Sequence, residues 1–287
     1  MTRVFLGLPA PAKLNLFLHV VGRRDDGYHE LQSVFVPIDL ADTLDFESRD
    51  DGLIDRSGDV IGDPTSDLAV RAATLLKTES GVRAGVSIYV DKRIAAGSGL
   101  GGGSSDAATT LLALNRLWNL KWSRSRLALL AQRLGADVPF FLGAGPAFVQ
   151  GIGERQTSVA FAPTWFAVVF PCVSIATAEI FADPGLTLSS KPTIIAAFLA
   201  AQSEFPRALF GANDLEAVVC RRVPAVQQAI TSLSRFGPAR MTGSGSAVFV
   251  PVATENDARV AIEKKGLPEG WQGWAVRSLT EHPLAYW

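Results

Sequence analysis

Five glycines fall within seven positions, at Gly97, Gly99, Gly101, Gly102 and Gly103, and Ser104 and Ser105 follow directly before an apolar run. Ordering such a stretch is unfavourable, because glycine loses more backbone freedom on folding than any other residue. A strand that feeds a glycine loop and then a helix presents several unobstructed backbone N–H groups at a positive helix end. That arrangement suits phosphate oxygens. Ser104 and Ser105 add hydroxyl donors, and one of them can also cap the helix. The alternative is a glycine-rich turn packed tightly on a neighbouring strand, but five glycines and two serines exceed what a turn requires. Asp106 suits the start of a helix dipole yet repels phosphate. A metal ion between them, or a carboxylate turned outward, would resolve that conflict.

Two familiar phosphate loops do not fit. Gly97-Ser98-Gly99-Leu100-Gly101-Gly102 satisfies the spacing of a dinucleotide fingerprint, which also needs a carboxylate about 20 residues on for the ribose. The segment there, RLWNLKWSRS, has none. A Walker loop needs a closing Gly-Lys-Ser/Thr, which is absent.

Other residues with chemical capacity are dispersed. Lys13 and Asn15 project to one side of an alternating segment, Ala12 to Val20, whose other side (Ala12, Leu14, Leu16, Leu18, Val20) is apolar. A strand anchored in this way frees its polar side, with Phe17 and His19 alongside, to line a cleft. Asp137 in GADVPFF can accept a proton, or can cap the short helix that Val138-Pro139 opens. Tyr28 and His29 follow an Asp26-Gly27 turn, where they either bind a ligand or pack locally. Thr242-Gly243-Ser244-Gly245-Ser246 forms a second glycine motif before a strand, or a plain tight turn. In NDLE, Asn213 reads as a helix cap with no assigned chemistry.

The elements that must position these groups follow from periodicity. RRDDG is a turn and YHELQSVFVPI a returning strand, which predicts a hairpin with the strand bearing Lys13. A helix capped by Ser66 precedes the strand VSIYVDKRI, which enters the glycine run. Ala107, Leu111, Leu114 and Trp118 form one helical stripe after it. SRSRLALLAQRLG is a helix ended by Gly135, and WFAVVFP a buried strand. Helices PTIIAAFLAAQ, NDLEAVVCRRV and AVQQAITSLSRF come next, then the strand SAVFVPV, a Thr254-capped helix TENDARVAIEKKG and the strand GWAVRSL. The interleaving predicts an α/β or α+β class with a boundary near Gly151, giving halves at residues 1–151 and 152–287.

With these segments in view, the chain resembles the GHMP superfamily of small-molecule kinases. The glycine-serine loop is similar to the superfamily's second motif. PAKLNLFLHV, DGYHELQSVF, GADVPFFL, ATAEIF and TGSGSAVF resemble, in consistent order from Pro11 to Phe249, the branch that phosphorylates a diphosphocytidyl polyol for isoprenoid precursors. One departure is Ala95, where the family usually has proline. The resemblance implies a two-domain α+β fold, with an N-terminal ATP-binding and catalytic domain and a C-terminal substrate domain. It implies ATP on Ala95, Ala96, Gly97, Ser98, Gly99, Leu100, Gly101, Gly102, Gly103, Ser104 and Ser105. Asp137 is then the catalytic carboxylate and Lys13 its partner. Asn15, Tyr28, His29 and Phe181 bind the substrate, with Tyr28 and Phe181 against a cytosine and His29 hydrogen-bonded to it. Thr242, Gly243, Ser244 and Gly245 approach from the second half. The reaction implied is ATP-dependent phosphorylation of the 2-hydroxyl of a diphosphocytidyl methylerythritol. The alternatives are another GHMP-type kinase and a non-catalytic nucleotide-binding regulator. Mg2+ is expected because the β- and γ-phosphates need neutralising; Ser104 and Asp106 carry the nearest oxygens, and the ligands are not specified.

Bulk properties set the outer bounds. At 287 residues and 48% hydrophobic, the chain suits two domains with a sizeable core. A formal net charge of −1 gives no reason to expect a nucleic-acid partner. Cys172 and Cys220, both in apolar sequence, are expected to be free thiols. The apolar start is broken by two prolines, Lys13 and Asn15, and no apolar run reaches membrane-spanning length, so a soluble cytoplasmic protein is expected.

Overall fold

The computed structural model describes residues 3–59, 66–186, 190–263 and 267–287. Among the described residues, ten strands run β1 Val4–Arg23, β2 His29–Arg49, β3 Ile54–Gly58, β4 Gly85–Asp91, β5 Ala147–Gly151, β6 Arg155–Ser158, β7 Trp165–Phe170, β8 Arg240–Met241, β9 Val248–Val252 and β10 Gln272–Arg277. The same residues hold eight α-helices, α1 Leu68–Ser80, α2 Gly102–Leu117, α3 Arg124–Leu134, α4 Thr177–Phe181, α5 Ile195–Ala201, α6 Glu216–Arg222, α7 Pro224–Leu233 and α8 Glu255–Ala261, and 3-10 helices at Val138–Leu142 and Gln202–Glu204. None is long and apolar enough to cross a membrane among the described residues.

Two sheets organise the chain. The first has the order β3-β4-β2-β5-β6 with β1 also on β2; the second is β10-β7-β9-β8. The change of sheet falls between Ser158 and Trp165, some residues beyond the expected boundary at 151/152. The predicted hairpin is present but far longer than its sequence signal, since β1 and β2 pair antiparallel along nearly their whole length. The strict alternation read through Val20 does not hold. A register shift between Asn15 and Leu18 turns the strand over. Leu18 and Val20 then join the core of the second half, while Phe17 goes with Leu14 and Leu16. A bulge bends a strand and re-aims its side chains, here just beyond Lys13 and Asn15.

Helix starts needed two corrections. Asp67, not Ser66, caps α1, accepting the Ala69 N–H at 2.8 Å, and also holds Arg56 Nε at 3.1 Å. At α2 the cap is Gly101 in a left-handed conformation with no side-chain bond, so Ser104 and Ser105 lie inside the first turn and cap nothing. Thr254 caps α8 as read, in a reciprocal capping box with Asp257; residues 264–266 of that segment lie outside the described residues. The expected stripe on α2 is instead burial on nearly all sides, from Ser105 to Leu114, because α1, α3 and the β1–β2 ribbon enclose it. Cys172 is exposed and Cys220 half-buried, both free thiols, so the apolar setting read for Cys172 does not hold.

The C-terminal segment returns to the first half. Arg124 donates to the carbonyls of Leu142 and Leu284, and Trp287 packs edge-on to Phe5 at 5.1 Å beneath Arg116 at 4.8 Å. His282 sits under this latch, 3% exposed, accepting the Leu284 N–H at Nδ1 (3.1 Å). Burial, reinforced by Arg124, pushes its pKa from the ordinary 6.5 down to about 4. The unfolded chain therefore binds a proton more readily, so stability from the neutral ring is present above about pH 6.5 and is lost as pH falls toward 4. Thermal melts should fall over that window, and the fall should be shallower in His282→Gln. Identical slopes would show that the ring does not drive it.

Candidate active site

Lys13 is placed by β1 and by its own backbone, whose N–H donates to Leu100 O in the glycine loop at 2.9 Å. Its ammonium is 3% exposed, donates to Asn15 Oδ1 at 2.5 Å, lies 3.4 Å from Asp137 Oδ2 and 4.9 Å above the Phe35 ring. A buried ammonium is tolerable only when paired and hydrogen-bonded, and those contacts meet the requirement. Asp137 opens the 3-10 helix but makes no side-chain cap bond, and its carboxylate is 32% exposed. The capping alternative is thereby removed. Its oxygens face Lys13 and the cleft.

Asn15 ties the two halves together. Its N–H donates to Thr242 Oγ1 at 2.8 Å and its Nδ2 to Ser33 Oγ at 3.0 Å. Thr242 is therefore buried behind the site, while Gly243, Ser244 and Gly245 line it. The loop of the first half meets this motif directly, with Ala247 N–H donating to Ser98 O at 2.9 Å.

The glycine loop is a partition between two cavities. One, about 350 Å³, contains Lys13, Asn15, Asp137 and the second glycine motif; the other, about 330 Å³, runs from Ala95 to Ser104 and reaches Arg56, Lys92 and Asp106. Gly97, Gly99, Gly101 and Ser104 belong to both. Not every predicted loop residue faces open space. Leu100 is fully buried in the apolar core, Ser98 donates back to Ala95 O at 2.7 Å, and Ser105 is buried and lines neither cavity.

The awkward charge of Asp106 has a partner that sequence reasoning missed. Lys92 Nζ donates to Asp42 Oδ2 at 2.5 Å and Asp106 Oδ2 at 2.6 Å, and Asp42 Oδ1 accepts the N–H groups of Arg93 and Ile94. The carboxylate turns neither outward nor toward a cluster of ligands; a lysine neutralises it. Burial pushes Asp106 up to about 7 against the pull of Lys92, with Asp42 adding to the rise. Burial works to lower Lys92, but the two carboxylates leave it raised. The only sequence signal was a lysine at the strand end directly before the loop.

A third cavity, about 680 Å³, opens beside the first and shares Leu31, Ala136, Ile152, Thr177 and Phe181 with it. His29 stacks on Phe181 there, centroids 5.0 Å apart at 25°, and Tyr28 stands 62% exposed at its edge. Thr177 Oγ1 and Ser244 Oγ, 2.7 Å apart, bridge α4 to the second glycine motif; neither Thr177 nor this bridge was read from the sequence. Burial, then Arg23, lowers the His29 pKa, which favours a neutral ring with one donor and one acceptor nitrogen.

A strand, a glycine loop opening a helix, and a Lys–Asp pair on the far side of that loop describe a small-molecule phosphotransferase, and the family models agree. GHMP kinases N terminal domain matches residues 67–145 and GHMP kinases C terminal matches residues 195–264. The chain belongs to the GHMP kinase family. A 4-diphosphocytidyl-2-C-methyl-D-erythritol kinase of Burkholderia multivorans (strain ATCC 17616 / 249) is 53% identical over 286 residues, covering 99% of this chain and 97% of that relative. One from Herminiimonas arsenicoxydans is 50% identical over 290 residues, covering 100% and 99%. A crystal structure of 4-(cytidine 5'-diphospho)-2C-methyl-D-erythritol kinase superposes with a TM-score of 0.81 at 36% identity, covering 97% of this chain and 99% of that one. Mevalonate kinase of L. major, at 15% identity and a TM-score of 0.70, covering 97% and 96%, shares the fold. The two-domain α+β expectation is borne out by these matches.

Proposed function

We propose that the chain transfers the γ-phosphoryl group of ATP to the 2-hydroxyl of 4-diphosphocytidyl-2-C-methyl-D-erythritol, the polyol for which its relatives are named kinases. The observation that carries the reading is the Lys13–Asp137 contact, 3.4 Å, beside a wall shared by the glycine-loop cavity and near a mouth shared by the His29–Phe181 cavity. One side supplies a phosphate, the other a cytosine platform, and the pair lies between them.

In this reading the triphosphate lies along the loop from Ala95 to Ser104, drawn by its backbone N–H groups and the positive start of α2. Phosphoryl transfer has a loose transition state, so positioning and charge stabilisation do most of the work. Asp137 accepts the proton of the acceptor hydroxyl. Lys13 keeps that carboxylate and the hydroxyl in line through charge-assisted bonds. Asn15 fixes the Lys13 ammonium and faces the polyol. Phe181 and Tyr28 hold the base, with His29 bonding its edge. Among the described residues no three His, Cys, Asp or Glu side chains form a metal cluster. An Mg2+ would be held mainly by phosphate oxygens and water; Ser104 and Asp106 line the glycine-loop cavity, and Asp106 Oδ1 has no hydrogen-bond partner while Oδ2 receives Lys92, so these two would offer the protein oxygens. When bound it would neutralise the β- and γ-phosphate charge.

The deciding experiment is a coupled ADP-release assay with ATP, Mg2+ and 4-diphosphocytidyl-2-C-methyl-D-erythritol; release no faster than without the acceptor would end the reading. Base stacking gives a second expectation. Stacking contributes about 1–3 kcal/mol, so Phe181→Ala should raise the acceptor KM about 5- to 150-fold while changing kcat less. An unchanged KM would move the base elsewhere.

A further inference from the structure

NDLE, read from sequence as a helix cap without chemistry, does something else. Helix α6 begins at Glu216, and Asn213 precedes it, 6% exposed, accepting the Leu215 N–H at 3.0 Å. Its Nδ2 donates to Met241 O and to Gly243 O, both at 2.8 Å. The carbonyls on either side of Thr242 are therefore clasped by one amide. Glu216 Oε2 accepts the Met241 N–H at 2.8 Å, fixing the same loop from the next turn.

The loop so held lies against the catalytic pair. Thr242 Oγ1 accepts the Asn15 N–H at 2.8 Å and donates toward Asn15 Oδ1 at 3.4 Å, the oxygen that receives the Lys13 ammonium. A methyl group on Gly243 would stand 3.0 Å from Gly99 O and 3.2 Å from Lys13 Nζ, so this backbone touches both the phosphate loop and the lysine. The other end of the segment is fastened to β1 just beyond the bulge. Leu18 N–H donates to Ala212 O, Asp214 N–H to Leu18 O, and Val20 N–H to Asp214 Oδ2 at 2.7 Å. Residues 212–216 thus form a strut between the strand carrying Lys13 and the loop backing it.

We propose that Asn213 is a positioning residue for phosphoryl transfer: its amide clasp on Met241 and Gly243 sets Thr242, and through it Asn15 and Lys13, in register with Asp137 and the glycine loop. This rests on the kinase reading and deepens it. Asn213 touches no substrate. It acts through a chain of hydrogen bonds that begins in the second half and ends at Lys13, whose ammonium pairs with Asp137. Two donors on one rigid amide hold two carbonyls at a fixed spacing, which serine cannot do. A small displacement of a reacting group is enough to slow the transfer step without weakening ligand binding.

The test uses the full chain, its Asn213→Ser and Thr242→Val variants and the double variant, with single-turnover rates at saturating ATP and acceptor, calorimetric Kd for ADP and for the acceptor, and thermal melts. Asn213→Ser is expected to slow the single-turnover step by at least about tenfold while both Kd values stay within about threefold. The double variant should be no slower than the worse single one, because both act through one loop. A folded Asn213→Ser within about twofold of the parent, a loss lying wholly in Kd, or multiplicative effects would overturn the proposal. Should Asn213→Ser not fold, Asn213→Asp, which keeps the shape and the oxygen that accepts the Leu215 N–H but loses the amide donors, carries the same expected and overturning results. A parent chain with no turnover takes down the kinase reading and this proposal together, whereas an active parent with an equally active variant takes down only this one.

Discussion

Asp137→Asn is expected to lower kcat by about 10²–10⁴-fold, the range a positioned proton acceptor contributes, with both KM values near those of the parent. The substitution preserves shape and removes only the charge and the basic oxygen. Asp137 makes no cap bond, so the 3-10 helix at Val138–Leu142 has nothing to lose. Removing one partner of a fully buried ion pair strongly destabilises a protein because it strands the other charge. Here that effect is softened. Asn15 Oδ1 still receives the Lys13 ammonium at 2.5 Å, and the Asp137 side of the pair is 32% exposed and open to water. A melt close to that of the parent together with a collapsed kcat would separate chemistry from folding. A near-parent kcat would remove Asp137 from the reaction, and Lys13 would then have to be explained as a phosphate contact alone.

That pair illustrates what the sequence could and could not disclose. The glycine run and the alternating strand are local patterns, so the loop, α2 and the direction of Lys13 were readable at those positions. Whether Asp137 was a cap or a free carboxylate was not, because both fit Asp followed by Val-Pro; only the missing cap bond decides it. The bulge after Asn15 left one trace, the apolar Phe17 on the otherwise polar side, and only the pairing with β2 reveals the extra residue, three steps from Asn15 to Leu18 against two from Phe35 to Ser33. Contacts across long separations were out of reach for the same reason. Thr242 meets Asn15 from 227 positions away, and Lys92 serves Asp42, 50 positions back, as well as Asp106. The charge conflict seen at Asp106 was real, but its resolution by a distant carboxylate and a strand-end lysine required the tertiary fold.

The second large effect concerns the partition itself. Gly99→Ala is expected to abolish saturable ATP binding in the accessible range and to lower the melting temperature. Its φ is +81°, a conformation that costs other residues roughly 1–2 kcal/mol, and the added carbon would stand 2.6 Å from Thr242 O and 2.9 Å from Gly245 O. Both obstacles are backbone, so neither can swing aside. Relief comes only if the glycine loop and the second glycine motif separate, which breaks the Ala247–Ser98 hydrogen bond and draws Thr242 off Asn15. The neighbouring Gly103→Ala provides the contrast. It lies in the first turn of α2, has no positive φ, and its added carbon would meet only Leu68 Cδ1 at 3.5 Å. That change should raise the melting temperature, since alanine in a helix is favoured over glycine by about 0.5–1 kcal/mol. Equal melting shifts in the two variants would show that the loops are not in contact in solution, and with that the wall shared by the two cavities would be lost.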